Sequence, residues 1–532
     1  MPCQEDQQAP LAPLDVVIIG AGAAGLSAAR ALLVSDPDHK TIQTITIVEA
    51  TSYVGGRVSS DDDFAPGNRI DLGAEFIHGW GTMLTDVVEA NKERWEEEQL
   101  NGQELLEEIF IVSHADGGPG EHPTKDGKYG VYYLSKEDKI LRYDTDDEDF
   151  CRMSEALSSL VHMDGAEATV CIGEASCDAS DPTSSAIDKS MSLADYLDET
   201  SAISPRMTGL LDAGYGNTAA CTDLGQISLL AHVEFEKYWD ANEEEGDARL
   251  HPRIGMVGVV DALRKEIESD SRCQILLNWT VKSVEWEQEV AITSSFGERI
   301  LANKLIVTAP PPVITSEQIL QFQPPLPQWK MDAFNMVGME RAIKVILKFN
   351  QRVWPEDVQT VICEEGPHSM APEVWFRDVT ERRQGETKQI HLAVCFLTSK
   401  AADAFLEKID TMIQLEKYTS TNVPLERRKI NAAADIVIDQ LATVFPESAS
   451  KADIQAAYIS AIMRDWGNVE TIRGGYMYPK VGITRQHFSD LARSLGHRLY
   501  FAGEATNTGA CCTVQAAMET GVRAANQILG KQ

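Results

Sequence analysis

Three glycines near the N-terminus, Gly20-X-Gly22-X-X-Gly25, have the spacing of a site for a pyrophosphate group. Glycines let the backbone approach the phosphates closely, and the N-terminus of a following helix stabilises their negative charge. Glu49 follows Gly25 by 49 − 25 = 24 residues, where a carboxylate can accept hydrogen bonds from ribose hydroxyls. An acid at this place favours an unphosphorylated ribose. These residues therefore predict a dinucleotide site for FAD or NAD rather than NADP.

The segments around these glycines predict the elements that must position them. Residues 15–19, DVVII, form a short apolar and β-branched run, and the helix-spaced segment LSAARALLV begins directly after Gly25. A second apolar run, TITIVEA, occupies residues 44–50. This order predicts a β-α-β unit with the glycines in the turn between the first strand and the helix.

The rest of the chain divides into blocks of different character. Residues 86–250 are acidic and are predicted to form a separate lobe rich in helices and loops, with acidic runs such as ANEEEGD on solvated faces. Three β-rich runs follow in residues 274–309, and a mixed block extends from 315 to about 455. From residue 498 a strand leads into a last helix whose apolar residues share one face.

The composition is that of an ordinary globular protein, and it excludes several classes of function. Of the 532 residues, 47 are Lys or Arg and 82 are Asp or Glu, so the net charge is −35. Such a surface repels nucleic acids and anionic membranes, and we expect neither as a partner. The ten cysteines lack the spacing of a metal site. No secretory signal, membrane-spanning segment or C-terminal peroxisomal tripeptide is evident, which favours a cytoplasmic location.

Four motifs occur in a fixed order along nearly the whole chain. They are GAGAAGLSAA at 20–29, EATSYVGGR at 49–57, DLGAEFIHG at 71–79 and YFAGEAT at 500–506. With these motifs the sequence resembles the flavin-containing amine oxidase family, to which polyamine oxidases, monoamine oxidases and lysine-specific histone demethylases belong.

The resemblance implies an α/β fold with two interleaved domains. A Rossmann-like FAD-binding domain of the GR2 type would comprise residues 1–85, 251–314 and 456–532. An α+β substrate-binding domain would comprise residues 86–250 and 315–455.

The resemblance also implies FAD as the cofactor. Glu49 would hold the adenosine ribose, Arg57 the diphosphate, Val281 the adenine edge through its backbone, and Glu504 the ribityl or diphosphate region. The last helix would direct its N-terminus at the flavin ring and stabilise negative charge there. The implied cofactor-binding residues are Gly20, Gly22, Ala24, Gly25, Glu49, Gly56, Arg57, Gly73, Ala74, Val281, Trp466, Glu504, Thr513 and Val514. Because Gly475 stands where monoamine oxidases carry the cysteine that attaches the flavin, binding is expected to be non-covalent.

Lys344 is a single lysine among the apolar residues of a predicted strand, AIKVILKF. The residues alone favour a lysine on an edge strand, which faces solvent. The resemblance instead implies a catalytic lysine, matched together with Trp354, that holds a water molecule against the flavin N5 atom.

The resemblance gives Tyr476 a catalytic and substrate-binding role as one aromatic wall in front of the flavin. Several relatives carry a second tyrosine where this chain has Thr513, so a cage with one wall and a roomier pocket is expected. His78 is expected to take part in catalysis and substrate binding, and Glu75 to offer a carboxylate to a substrate ammonium. Both residues have a structural role as the alternative.

The family relation implies oxidation of an aliphatic amine to an imine and then an aldehyde, with O2 reduced to H2O2. A polyamine is one candidate substrate, because an acidic lobe and His78 suit a polycation. The alternative is an L-amino-acid oxidase on the same fold, which needs an arginine for the substrate carboxylate; Arg341 and Arg464 are candidates. The expected partners are thus a small amine and O2. The oligomeric state and the role of Cys511 and Cys512 stay open.

Overall fold

The fold is mixed α/β, as the sequence predicts. The computed structural model describes residues 13–109, 124, 127–142, 145–159, 190–199, 203–242, 244–415, 423–507, 509 and 511–531. Within them the strands are β1 (Leu14–Ile19), β2 (Ile45–Val48), β3 (Ser60–Asp61), β4 (Ile70–Asp71), β5 (Phe76–Trp80), β6 (Leu106–Ile109), β7 (Tyr129–Leu134), β8 (Lys139–Arg142), β9 (Glu244–Leu250), β10 (Cys273–Leu276), β11 (Val281–Glu285), β12 (Val290–Ser294), β13 (Arg299–Val307), β14 (Gln321–Gln323), β15 (Val337–Met339), β16 (Ala342–Phe349), β17 (Val358–Cys363), β18 (Glu373–Arg383), β19 (Glu386–Thr398), β20 (Tyr458–Asp465), β21 (Met477–Pro479) and β22 (Leu499–Phe501).

The helices of the described residues lie mainly against the faces of two large sheets. They are α1 (Ala23–Ser35), α2 (Met83–Arg94), α3 (Glu148–Ser159), α4 (Leu193–Glu199), α5 (Thr208–Leu211), α6 (Leu229–Asn242), α7 (Val257–Glu268), α8 (Pro311–Ile314), α9 (Gln328–Asn335), α10 (Ser399–Met412), α11 (Leu425–Val444), α12 (Lys451–Ala457), α13 (Arg485–Ala492) and α14 (Val514–Leu529). A π-helical segment, Asp212–Ala219, follows α5 directly. None of the helices in the described ranges is long and apolar enough to cross a membrane.

The first large sheet contains the predicted β-α-β unit. Its order is β10-β2-β1-β13-β12-β11-β14, and β22 also pairs with β13. Strands β10, β2, β1, β13 and β22 run parallel, so their carboxyl ends meet at one edge, where the glycine turn follows β1 and Glu49 follows β2. Helices α1, α7 and α14 pack together and form a core with the apolar residues of this sheet. The local sequence pattern was sufficient to predict the β-α-β unit within this sheet.

The first of the three β-rich runs, residues 274–286, contains two strands that lie in different parts of this sheet. Strand β10 lies at one edge beside β2, whereas β11 lies near the other edge between β12 and β14. Asn278 between them has φ +56°, a left-handed conformation that asparagine tolerates better than most residues. The chain therefore turns within a run that hydrophobicity alone presents as continuous.

The second large sheet has the order β20-β16-β19-β18-β17-β7-β8 and packs against α10, α11 and α12. Strand β16 lies between β20 and β19, so the edge-strand interpretation of Lys344 is wrong. Strands β7 and β8 come from the acidic block 86–250, which therefore is not a separate lobe. Since β20 belongs to this sheet and β14 to the first, we propose that the domain boundaries at 456 and 314 move beyond β20 and β14, respectively.

A three-stranded sheet, β5-β9-β6, joins the two chain segments that carry the DLGAEFIHG motif and the end of the acidic block. Strand β9 begins inside the ANEEEGD run, which was predicted to be solvated. Its pairing places Asp247 opposite His78 and Arg249 opposite both Phe76 and Glu107. An acidic run thus supplies a strand whose side chains support the candidate site.

Candidate active site

One cavity of about 430 Å³ is lined by residues of both large sheets and by the N-terminus of α14. It brings together nearly all the residues that the sequence marked. Those that line it are Gly20, Gly22, Ala24, Glu49, Gly56, Arg57, Gly73, Ala74, Glu75, His78, Val281, Lys344, Trp466, Tyr476, Glu504, Thr513 and Val514. Gly25 does not line the cavity and lies behind the turn.

Two glycines of the turn have different surroundings: Gly25 is tightly packed, whereas Gly22 has room beside it. A Cβ atom on Gly25 would lie 2.0 Å from the Gly20 carbonyl oxygen, so only glycine lets α1 pack this closely. A Cβ atom on Gly22 would have its nearest neighbour, the Gly55 carbonyl oxygen, at 3.8 Å. Gly22 also precedes α1 without any side-chain cap, which leaves the first N–H groups of the helix for a ligand. The turn therefore fits a phosphate group on the side of Gly22.

Glu49 connects the glycine turn to the end of β2. It is 7% exposed, and its Oε2 accepts a hydrogen bond from the Ala21 N–H at 2.8 Å. Its Oε1 accepts from the N–H and the hydroxyl of Thr51 at 2.9 and 2.8 Å. A carboxylate has about four acceptor sites, so one is left for a ribose hydroxyl, and the residue fits its expected partner.

Arg57 and Glu504 form an ion pair between the two ends of the chain. The Arg57 Nη1 donates to Glu504 Oε1 at 2.9 Å and to the Gly475 carbonyl at 2.6 Å. The second carboxylate oxygen of Glu504 accepts from the N–H of Met477 and of Cys512. The pair thus binds backbone groups of Gly475, Met477 and Cys512 beside the cavity. Further guanidinium N–H groups of Arg57 fit a diphosphate.

Helix α14 directs its N-terminus at the cavity. Thr513 is the N-cap, and its hydroxyl accepts a hydrogen bond from the Ala516 N–H at 3.1 Å. A sixteen-residue helix places partial positive charge at this end, which suits the electron-rich part of a reduced flavin. Trp466 completes the wall, with its Nε1 donating to the Leu72 carbonyl at 3.0 Å.

Lys344 is 6% exposed and bonded to the segment 71–75. Its Nζ donates to Glu75 Oε2 at 2.9 Å, to the Gly73 carbonyl at 3.0 Å and to the Asp71 carbonyl at 3.1 Å. Burial alone would raise the pKa of Glu75, but the cations around it, Lys344 first and then two arginines, lower it to about 2. Glu75 is therefore ionised and paired with Lys344.

Tyr476 faces a second aromatic ring, which the expectation of a cage with one wall did not include. The rings of Tyr476 and Phe396 have centroids 6.3 Å apart and lie 13° from parallel. The Tyr476 hydroxyl donates to the carbonyl of Thr218 in the π-helical segment. Phe396 lies on β19, far along the chain from Thr513. The lack of a tyrosine at position 513 therefore gave no information about this second ring.

Glu373 is a buried carboxyl group in the cavity that sequence analysis missed. It lies on β18, is 2% exposed, and is opposite Phe396, which in turn is opposite Lys344 on β16. Burial raises the pKa of Glu373 to about 7. The available signal was one acidic residue at the start of an apolar strand, the same kind of pattern that drew attention to Lys344.

Two histidine pairs add polar groups to the cavity wall. His78 Nδ1 lies 3.0 Å from Asp247 Oδ1, and this carboxylate fixes the orientation of the ring. The Tyr215 hydroxyl lies 2.7 Å from His232 Nε2, and both of these residues are buried. Neither Asp247 nor the Tyr215–His232 pair was predicted, because no motif marks these residues.

The two arginine candidates for a substrate carboxylate lie outside the cavity. Arg341 pairs with Asp465 at 2.5 Å and with Asp403 at 3.1 Å. Arg464 stacks on Trp466, with its Cζ 4.5 Å from the ring centroid. Among the described residues no group of His, Cys, Asp and Glu is placed to hold a metal. Among the described residues, neither arginine proposed to bind an amino-acid carboxylate therefore lines the cavity.

Comparison with known proteins places the chain in a family. A model of flavin-containing amine oxidoreductases matches residues 23–529. Polyamine oxidase 2 of Arabidopsis thaliana is 24% identical over 96% of this chain and 87% of its own length. Lysine-specific histone demethylase 1 homolog 2 of Oryza sativa subsp. japonica is 24% identical over 97% of this chain. The chain spans only 57% of the length of that demethylase homologue.

Solved structures share the fold. A putrescine oxidase variant has a TM-score of 0.68 at 19% identity, over 97% of this chain and 98% of its own. Cyclohexylamine oxidase from Brevibacterium oxydans has a TM-score of 0.65 at 20% identity, over 98% of this chain and 99% of its own. Because the family model covers almost the whole chain and the cavity unites its motif residues, the chain belongs to the flavin-containing amine oxidoreductases, enzymes that act on amine donors.

Proposed function

We propose that this protein is an oxidase that binds FAD non-covalently and converts an aliphatic amine to an imine, which water hydrolyses to an aldehyde, while O2 is reduced to H2O2. The observation that carries the proposal is the continuity of the cavity. It extends from the glycine turn and Glu49 to Lys344, Tyr476 and Glu373 without a break. A dinucleotide cofactor and an organic substrate can therefore meet inside the protein.

The residues of the glycine turn, Glu49, Arg57, Val281 and the N-terminus of α14 would hold FAD. When bound, FAD supplies the acceptor for the two electrons of the amine. Non-covalent binding is supported by Gly475, which carries no side chain to attach a flavin. Burial raises the pKa of the Cys511 thiol, and contact with that thiol together with burial raises the pKa of Cys512, so neither cysteine offers a ready thiolate.

The chain's own groups would bind and orient the amine. Tyr476 and Phe396 would contact its carbon chain, and their faces also attract an ammonium group. Oxidation requires the uncharged amine, and His78, held by Asp247, would take up the proton that the reacting nitrogen loses. Glu373 would pair with a second ammonium group of the same substrate. This pairing favours a diamine or polyamine over a monoamine, in keeping with the substrates for which Polyamine oxidase 2 and the putrescine oxidase are named.

Anaerobic mixing tests the proposal. The purified yellow protein is mixed with spermine, N-acetylated spermine, simple monoamines and L-amino acids, and bleaching of the flavin absorption is followed. Bleaching by di- or polyamines at lower concentrations than by monoamines is expected. Bleaching by L-amino acids alone would establish the amino-acid oxidase instead. A flavin that dithionite reduces and that no amine bleaches would refute amine oxidation.

Glu373→Gln separates the substrate class from the reaction. The variant should need roughly 30- to 1000-fold more polyamine for half-maximal bleaching, because an ion pair in a desolvated site contributes about 2–4 kcal/mol. Monoamine bleaching should change much less. Equal losses for both substrates would contradict the pairing of Glu373 with a second ammonium group, while leaving amine oxidation intact.

A further inference from the structure

Glu373 has two buried hydrogen-bond donors beside it, the hydroxyl of Thr218 and the indole N–H of Trp375. Glu373 and Trp375 are two residues apart on β18, so their side chains lie on the same face of the strand. Thr218 lies in the π-helical segment, and the Tyr476 hydroxyl donates to its carbonyl. All three residues line the cavity. The cavity wall thus contains a carboxyl group with two donors next to it.

Neither donor has an acceptor at full hydrogen-bond geometry among the described residues, although Thr218 Oγ1 and Trp375 Nε1 are both buried. A buried donor without an acceptor costs free energy, so two of them next to one carboxyl group call for an explanation. Burial raises the pKa of Glu373 to about 7, whereas Thr218 and then Trp375 lower it. The two donors are therefore close enough to stabilise the ionised carboxylate, and burial outweighs them.

We propose that Thr218 and Trp375 are positioning residues, which hold the Glu373 carboxylate for the second ammonium group of the substrate. This inference rests on the proposed function. A carboxylate has about four acceptor sites, so two can receive the Thr218 and Trp375 donors and the others remain for the ammonium group. Loss of either donor removes a hydrogen bond to a charged group, which makes ionised Glu373 less favourable. Since an ammonium group pairs with the ionised form, the polyamine would then bind well only at higher pH.

Other groups around Glu373 also affect its ionisation, and they must stay the same in every variant. The residues opposite it on the neighbouring strands are apolar, Ile362 on β17 and Phe396 on β19. The charged and titratable groups that act on its carboxyl group, or line the cavity near the proposed amine site, are Lys344 on β16, Glu75 and His78 on β5, His232 on α6 and Tyr476. Lys344 lowers the pKa of Glu373, and Glu75 raises it. None of these groups is substituted below, so their effects are common to all the proteins.

Thr218→Val and Trp375→Phe each remove one donor, and Thr222→Val is the matched control. The Thr222 hydroxyl is also buried without an acceptor, but it lies beside Tyr478 rather than Glu373. The half-saturating concentrations of spermine and of a simple monoamine are measured from the rate of anaerobic flavin bleaching at pH 6 and pH 9. At pH 6 T218V and W375F should each need roughly tenfold more spermine than the wild type, and at pH 9 about the same amount, because a hydrogen bond to a charged group favours the ionised form roughly tenfold.

The monoamine and the control variant provide the reference for this experiment. For the monoamine, any change relative to the wild type should be the same at both pH values, since no second ammonium group is present. T222V should show no pH-dependent change with either amine. Protonation of the amines themselves is common to all the proteins, so each variant is compared with the wild type at the same pH.

A second measurement uses the flavin-free protein and no amine. Ionised Glu373 costs stability above neutral pH, and loss of a donor should increase that cost. T218V and W375F should therefore shift the unfolding equilibrium in urea toward the unfolded chain roughly tenfold more at pH 9 than at pH 5, and this difference should vanish when each is combined with E373Q. Losses that are equal at both pH values, in stability or in spermine binding, would overturn the proposal. Bleaching by no amine at all would instead refute the proposed function, and the stability comparison would still decide whether the two donors act on Glu373.

Discussion

Glu373 should make the flavin-free protein less stable above neutral pH, and Glu373→Gln should remove this cost. Burial raises the pKa of Glu373 from its ordinary value of 4.5 to about 7. The folded protein therefore binds this proton more tightly than the unfolded chain does. By linkage, the free energy of unfolding falls as pH rises from about 4.5 to about 7 and stays low above it. At about 1.36 kcal/mol per pKa unit, the cost above pH 7 is about 3 kcal/mol.

The assay is urea unfolding of the flavin-free protein, followed by tryptophan fluorescence at pH 5 and pH 8. The variant should resemble the wild type at pH 5 and be more stable by up to about 3 kcal/mol at pH 8. Glu364→Gln is the matched control, because Glu364 is also 2% exposed but bonds to Lys136. It should be destabilised at both pH values. An E373Q protein less stable than the wild type at pH 8 would refute the reasoning, since ionised Glu373 would then have stabilising partners.

Four further substitutions test three other parts of the structure. Gly25→Ala should destabilise the flavin-free protein by about 3 kcal/mol or more in the same unfolding assay, because the added Cβ atom would collide with backbone. Gly22→Ala should change that stability by only a few tenths of a kcal/mol and weaken flavin binding at least ~10-fold. If Gly22→Ala destabilised the protein more than Gly25→Ala, the assignment of Gly22 to the phosphate side of the glycine turn would be wrong. Lys330→Met should lower the free energy of unfolding by about 3 kcal/mol, because the buried Nζ donates to three carbonyls at the end of α13, and an unchanged thermal midpoint would exclude this. Asp247→Asn should slow amine-dependent flavin bleaching ~10²-fold, because His78 loses the carboxylate that orients it. The spectrum of the dithionite-reduced protein should not change. Bleaching at the wild-type rate would show that His78 has no part in the reaction.

The parts of the fold that depend on neighbouring residues were predictable from sequence. The β-α-β unit, the glycine turn and the strand that precedes Glu504 follow from hydrophobic spacing and glycine placement within about thirty residues. The four motifs also contain several of the residues that line the cavity, among them Gly22, Glu49, Arg57 and Glu504. Even there the local pattern failed at Asn278, since a left-handed residue can end a strand without changing its hydrophobicity.

The substrate side was not predictable, because strand register across a sheet decides it. Phe396 and Glu373 lie on β19 and β18, whereas Lys344 lies on β16 and Tyr476 precedes β21. Hydrogen bonding between these distant segments places all four residues in the cavity. Asp247 belongs to an acidic run whose composition favours solvent exposure, yet pairing of β9 with β5 directs it to His78. The composition of a segment indicates whether it favours solvent or the core. It does not indicate which strand the segment pairs with, and that pairing is what brings these residues to the cavity.

That register also produces opposite electrostatic conditions within one row of side chains. Glu373, Phe396 and Lys344 lie opposite one another on β18, β19 and β16, and adjacent strands are about 4.8 Å apart, so the outer two backbones are about 10 Å apart. A nitrogen near ionised Glu373 would be favoured as an ammonium, and one near the ammonium group of Lys344 would be favoured as an uncharged amine. The aromatic ring between them can contact the carbon chain that joins two such nitrogens. The proposed diamine or polyamine substrate, with one nitrogen bound as a charge and the other free to react, would satisfy both ends of this row.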